Sequence, residues 1–78
     1  MEKADVMNII KAIPYLASLS IDHMWMDYDR EADVLYITFN REPADDTEMS
    51  DENILFRYKG DKLVGMTVMG ASKRINVQ

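Results

Sequence analysis

Residues 24–39, MWMDYDREADVLYITF, constrain the fold more than any other part of the chain. Apolar and polar residues alternate on either side of a short polar break, and strand side chains alternate between two faces. The pattern predicts two strands joined by a tight turn over residues 29–32. Asp29 opens that turn by accepting a hydrogen bond from the backbone two residues on. Tyr28 then faces Asp33, Met26 faces Leu35, Trp25 faces Tyr36 and Met24 faces Ile37. One face carries Met24, Met26, Tyr28, Leu35, Ile37 and Phe39 and is almost wholly apolar. The other carries His23, Trp25, Asp27, Val34, Tyr36 and Thr38 and is mixed. A bulge would move one strand's set to the opposite face.

Ahead of this hairpin, Val6, Ile9, Ile10, Ile13, Leu16 and Ala17 recur at three- and four-residue spacing, which predicts a helix over residues 2–19. Glu2 and Asp5 suit its start, where the helix dipole favours anions. Pro14 removes a hydrogen bond and clashes one turn back, at a cost of ~3 kcal/mol in a helix interior. The helix is therefore expected to be interrupted, either kinked at Pro14 or ended near Ala12 with Pro14 starting a second turn.

After the hairpin of residues 23–39, residues 40–52 read as an acidic loop around Pro43, with Glu42, Asp45, Asp46, Glu48, Asp51 and Glu52 and no base after Arg41. A second hairpin over residues 53–69 turns at Gly60-Asp61. Its register places Tyr58 opposite Leu63 and Phe56 opposite Gly65, with the ring lying over the missing side chain. One face would hold Ile54, Phe56, Tyr58, Leu63, Thr67 and Met69, the other Leu55, Arg57, Val64, Met66 and Val68. Residues 71–78 are expected to form a short turn and then fray. The whole predicts one α+β domain: an interrupted N-terminal helix packed on a four-stranded antiparallel β-meander.

A chain of 78 residues buries only about 60–65% of its unfolded surface, and association is a common remedy for so small a core. Cysteine is absent, which removes disulfides, thiol chemistry and cysteine metal sites. Lys3, Asp5 and Lys11 interrupt the first twenty residues, so neither a membrane span nor a signal peptide is expected, and a cytoplasmic location is. A formal charge of −5 disfavours nucleic-acid binding, and Lys73-Arg74 is too small a basic patch to override it.

One short helix covers one sheet face and leaves the other. The uncovered face would present Trp25, Val34 and Tyr36, which become the candidate interface residues. Two large aromatics represent up to ~10 kcal/mol of unused burial. A homodimer is the expected remedy, because twofold association is the commonest small assembly.

The run Trp25-Met26-Asp27-Tyr28-Asp29-Arg30-Glu31-Ala32-Asp33-Val34-Leu35-Tyr36-Ile37 resembles the signature of the small proteins grouped as domain of unknown function 2283. Asp46-Thr47-Glu48-Met49, Ile54-Leu55-Phe56-Arg57-Tyr58 and Leu63-Val64-Gly65-Met66-Thr67-Val68 resemble the family's second half, and Ala71-Ser72-Lys73-Arg74 its close. The likeness covers about residues 22–74. It implies a small, mostly β, prokaryotic protein with no established activity and no catalytic residues to carry over. Some family members are encoded beside toxin-like proteins, which implies an antitoxin-like or regulatory partner by association alone.

No catalytic constellation is visible. His23 is the lone histidine, at a strand start, and reads as a surface or interface residue. Ser18, Ser20, Ser50 and Ser72 lack a nucleophile-elbow context, and the glycines form no phosphate loop. The methionines at Met24, Met26 and Met66 read as core filling. The acidic loop lacks the spacing and the glycine of a calcium loop, so a solvated loop that discourages edge pairing is the simpler role. The leading expectation is a non-enzymatic protein-interaction module with no cofactor. The alternative is a small-ligand or divalent-cation binder using the acidic loop with nearby Tyr58 or Arg57.

Overall fold

The central strand of the sheet is the one whose two faces are both apolar. The computed structural model describes residues 1–74. It consists of α1 (Lys3–Ala17), β1 (Trp25–Asp29), β2 (Val34–Thr38), β3 (Asp46–Met49), β4 (Ile54–Lys59), β5 (Lys62–Met69) and a 3₁₀ turn at Ala71–Arg74. The strands form one antiparallel sheet in the order β1-β2-β5-β4-β3. β5, a nearly continuous apolar run, takes the middle and supplies the buried residues Val64, Gly65 and Val68. The α+β class holds. The four-stranded meander does not, because β5 inserts beside β2 and a fifth strand is present.

That fifth strand lies within the acidic segment expected to be a loop. β3 is an edge strand with every residue exposed, so its charge is compatible with pairing. Pro43 precedes it, where its missing N–H costs no ladder bond. Ser50 closes the β3–β4 turn: its Oγ accepts from the Glu52 and Ile54 amides at 3.1 and 3.3 Å.

The first hairpin pairs Trp25 with Thr38, Met26 with Ile37, Asp27 with Tyr36, Tyr28 with Leu35 and Asp29 with Val34. The expected turn is moved on by one residue, to residues 30–33, because Asp29 still pairs and Asp33 adopts a left-handed conformation, φ 58°. Asp29 Oδ1 accepts from the Glu31 and Ala32 amides at 3.1 Å each. The pairing shifts by an even step, so each residue keeps its predicted face, but Trp25 and Tyr36 are not opposite each other.

In the second hairpin the Gly60-Asp61 turn and the Tyr58–Leu63 pair stand as expected, with Gly60 at φ +63°. Beyond that pair the register shifts. Tyr58 faces Leu63 and Arg57 faces Gly65, which leaves Val64 without a partner on β4. Phe56 therefore faces Met66 rather than Gly65, and Ile54 faces Val68. The slip gathers Met26, Tyr28, Leu35, Ile37, Met66, Val68, Ile54 and Phe56 on one apolar face. The mixed face carries Trp25, Asp27, Val34, Tyr36, Thr38, Thr67, Leu55 and Arg57.

The helix differs from expectation in two ways. It is continuous through Pro14, which sits in the exposed last turn, where the carbonyl it orphans can meet water. Asp5 Oδ2 accepts the Glu2 amide at 3.3 Å at the other end. More important, α1 has no buried residue and does not pack across the sheet. The molecule extends 39 × 27 × 23 Å with a radius of gyration of 13.7 Å, against about 11.5 Å for a compact chain of this length. The fraying expected for residues 75–78 lies outside the described residues.

Candidate functional site

A single cross-strand row shapes the mixed face: Trp25, Thr38, Gly65, Arg57, Thr47. Two large planar groups flank a small residue and one with no side chain, which makes a trough. The loop after β2 closes its end, giving an open cavity of 390 Å³ lined by Trp25, Asp27, Thr38, Arg41, Glu42 and Arg57, among others. Arg57 leans across the gap at Gly65. Its guanidinium donates to Thr67 Oγ1 at 2.6 Å and to the Ile37 carbonyl at 3.3 Å. Arg57 is half-buried, and no carboxylate lies within ion-pair distance of it among the described residues.

Trp25 is half-buried by local contacts. Arg41 places its guanidinium carbon 4.3 Å from the indole centroid, a cation–π contact worth about 0.5–1 kcal/mol at an exposed site. His23 stacks on the same indole at 5.6 Å and 19°. The other two candidate interface residues share this face: Val34 is half-buried between Asp29 and Met69, and Tyr36 is 42% exposed between Asp27 and Thr67.

A polar knot at the hairpin end escaped the sequence reading. Tyr28 Oη donates to Asp33 Oδ1, and the Ser72 amide donates to the same oxygen at 3.0 Å. Ser72 Oγ donates to Asp33 Oδ2 at 2.9 Å, and the Ala71 amide to the Asp33 carbonyl at 3.1 Å. The Tyr28 hydroxyl and the Ser72 amide hold the Asp33 carboxyl below the usual range, while the bond to Asp33 pushes Tyr28 up. Asp33 thus staples the first turn to the 3₁₀ turn. The signal was an aspartate at the last turn position, able to adopt left-handed geometry; its partner Ser72 is far away in sequence.

The acidic residues do not converge. No group of three His, Asp or Glu side chains suited to a metal occurs among the described residues. Asp45 instead accepts the Gly60 amide at 3.2 Å and lies 4.0 Å from Lys59 Nζ, tying the start of β3 to the β4–β5 turn. Tyr58 pairs with Asp46 and Leu63 and does not line the cavity with Arg57.

The most conspicuous surfaces are apolar and uncovered. On α1, Val6, Ile9, Ile10, Ile13 and Leu16 are each 42–53% exposed. On the apolar sheet face Met26 is 59% and Tyr28 38% exposed. Among the described residues no helix is long and apolar enough to cross a membrane.

These features define a small α+β protein built on a five-stranded antiparallel sheet, with apolar side chains exposed on α1 and along β1. The chain belongs to the family described as protein of unknown function (DUF2283), whose model matches residues 25–72. The match spans the sheet and ends on Ser72 of the polar knot; α1 lies outside it. Comparison with curated proteins and with solved structures gave no match.

Proposed function

We propose that the protein is a non-enzymatic interaction module that completes its own fold by associating with another protein surface, in the first instance a second copy. One observation carries this reading: the helix stripe is exposed along its length, and the apolar sheet face is exposed at Met26 and Tyr28 of its edge strand, in the single chain. The chain exposes 6312 Å², against about 4,900 Å² for a compact monomer of this mass. Only Val64 and Val68 are buried apolar residues among those described, a thin core of the kind that association commonly supplements. The apolar face ranks ahead of the mixed face bearing Trp25, Val34 and Tyr36, where Asp27 and Arg57 intervene. A toxin-like partner, implied by family resemblance, would use the same surfaces. Sedimentation over a wide concentration range tests the proposal. A monomer at every concentration, without binding of a hydrophobic dye, would end it.

Arg57 favours a second reading. A half-buried guanidinium held by neutral acceptors over a cavity retains donors for a small anion such as a carboxylate. Asp27 and Glu42 in the same lining oppose a purely anionic ligand, so this reading ranks second. Calorimetry with acetate and phosphate, compared with Arg57→Gln, decides it; absence of heat in the unaltered protein retires it.

A further inference from the structure

We infer that the ligand of the Arg57 trough is a compact zwitterion of the α-amino acid type, with its carboxylate on Arg57 and its ammonium group at Asp27 and Glu42. This rests on the second reading above, the anion site at Arg57, and names the ligand class.

The cavity wall carries four charges, two of each sign: Arg41 and Arg57, Asp27 and Glu42. None of the four lies within ion-pair distance of another; the one ion pair among the described residues joins Lys59 to Asp45, outside the cavity. Such a wall discriminates by sign. A simple anion gains at Arg57 and loses at Asp27 and Glu42, and a simple cation does the reverse. A molecule carrying both signs gains at both places. The four charges sum to zero, so a ligand of zero net charge leaves the site balanced.

The spacing selects a short molecule. Arg57 reaches from β4 across Gly65, and its guanidinium is held at Thr67 of β5 and at the Ile37 carbonyl of β2. Asp27 stands on β1, the strand beside β2. The two groups are therefore one to two strand spacings apart, about 5–10 Å. An α-amino acid holds both charged groups on one carbon, and with a hydrogen bond of about 3 Å at each end it fills such a gap. A zwitterion with its charges several carbons apart overshoots it. Trp25 supports the cationic end, because its ring already takes the Arg41 guanidinium at 4.3 Å. The cavity of 390 Å³ lies within the range of small-molecule sites, about 300–1,000 Å³.

The test uses the full chain and its single tryptophan, Trp25, whose emission reports the cavity. Free alanine and glycine are titrated beside acetate and methylammonium, which carry one charged end each, with calorimetry in parallel. Both amino acids should bind at least tenfold more tightly than either single-ended probe. Asp27→Asn, an exposed change on the edge strand, should remove that advantage while strengthening acetate, which loses a repulsive neighbour. Acetate as tight as alanine, or an alanine affinity unmoved by Asp27→Asn, would overturn the zwitterion and leave the anion site at Arg57 standing. Methylammonium as tight as alanine would overturn both, as would the absence of heat and of any emission change with all four probes.

Discussion

Arg57 lies across Gly65, its direct partner in register, in the space where a side chain would otherwise stand. A Cβ at Gly65 would collide with the Arg57 guanidinium and sit 3.0 Å from the Ile37 carbonyl oxygen. Gly65→Ala should therefore displace Arg57 and break its bonds to Thr67 and Ile37, destabilising the fold by about 1–3 kcal/mol. In an Arg57→Ala background the same change should cost less, by about 1 kcal/mol or more. Denaturant melts of the four proteins give the coupling. Strict additivity would show that the two residues are independent.

Asp33 and Tyr28 make stability depend on pH at both ends. The folded state lowers the Asp33 value, so its contribution is full above the unfolded aspartate's value and is lost as pH falls through the folded one. The folded state raises the Tyr28 value, so its contribution is full below the unfolded tyrosine's value and is lost as pH rises through the folded one. Asp33→Asn keeps a residue suited to left-handed geometry and removes the titrating group. Its melting temperature should fall less steeply than the parent's on acidification below the unfolded aspartate's value. Parallel curves would remove Asp33 from the acid response.

Pro14 is tolerated because α1 is unpacked at that point. Pro14→Ala restores one hydrogen bond and should favour the helix by up to ~3 kcal/mol. The gain should appear as added ellipticity at 222 nm. In dilute protein the sheet should melt at an unchanged temperature, because α1 is not packed on it. A large rise in the sheet's melting temperature would mean that helix and sheet fold as one unit.

Met26 is exposed in the single chain yet sits at the centre of the apolar strand pair with Ile37. Met26→Lys should therefore barely alter the stability of dilute protein, within about 0.5 kcal/mol. At high concentration it should weaken association and reduce hydrophobic-dye binding. Association as tight as the parent's would place the contact elsewhere on the surface.

Alternation along residues 24–39 was enough to sort the paired side chains of β1 and β2 onto their two faces, although the pairing partners were moved by an even step. The second hairpin was legible at its turn and lost at Val64, because nothing local marks an unmatched residue. Only the three-strand neighbourhood of Gly65, with Ile37 and Thr67 offering acceptors to Arg57, decides which residue of β4 fills that space. β3 was hidden by its charge. An edge strand needs backbone pairing and little burial, so its composition resembles a loop.

By itself the sequence determined the α+β class, the helix stripe, the part the Asp29 carboxylate plays in the first turn, the turn at Gly60, and a surplus of apolar surface. Each of these depends on residues a few positions apart. Tertiary structure alone decided the central place of β5, the Asp33–Ser72 staple and the separation of α1 from the sheet. Those depend on which distant segments meet, and local periodicity carries no information about distance in space.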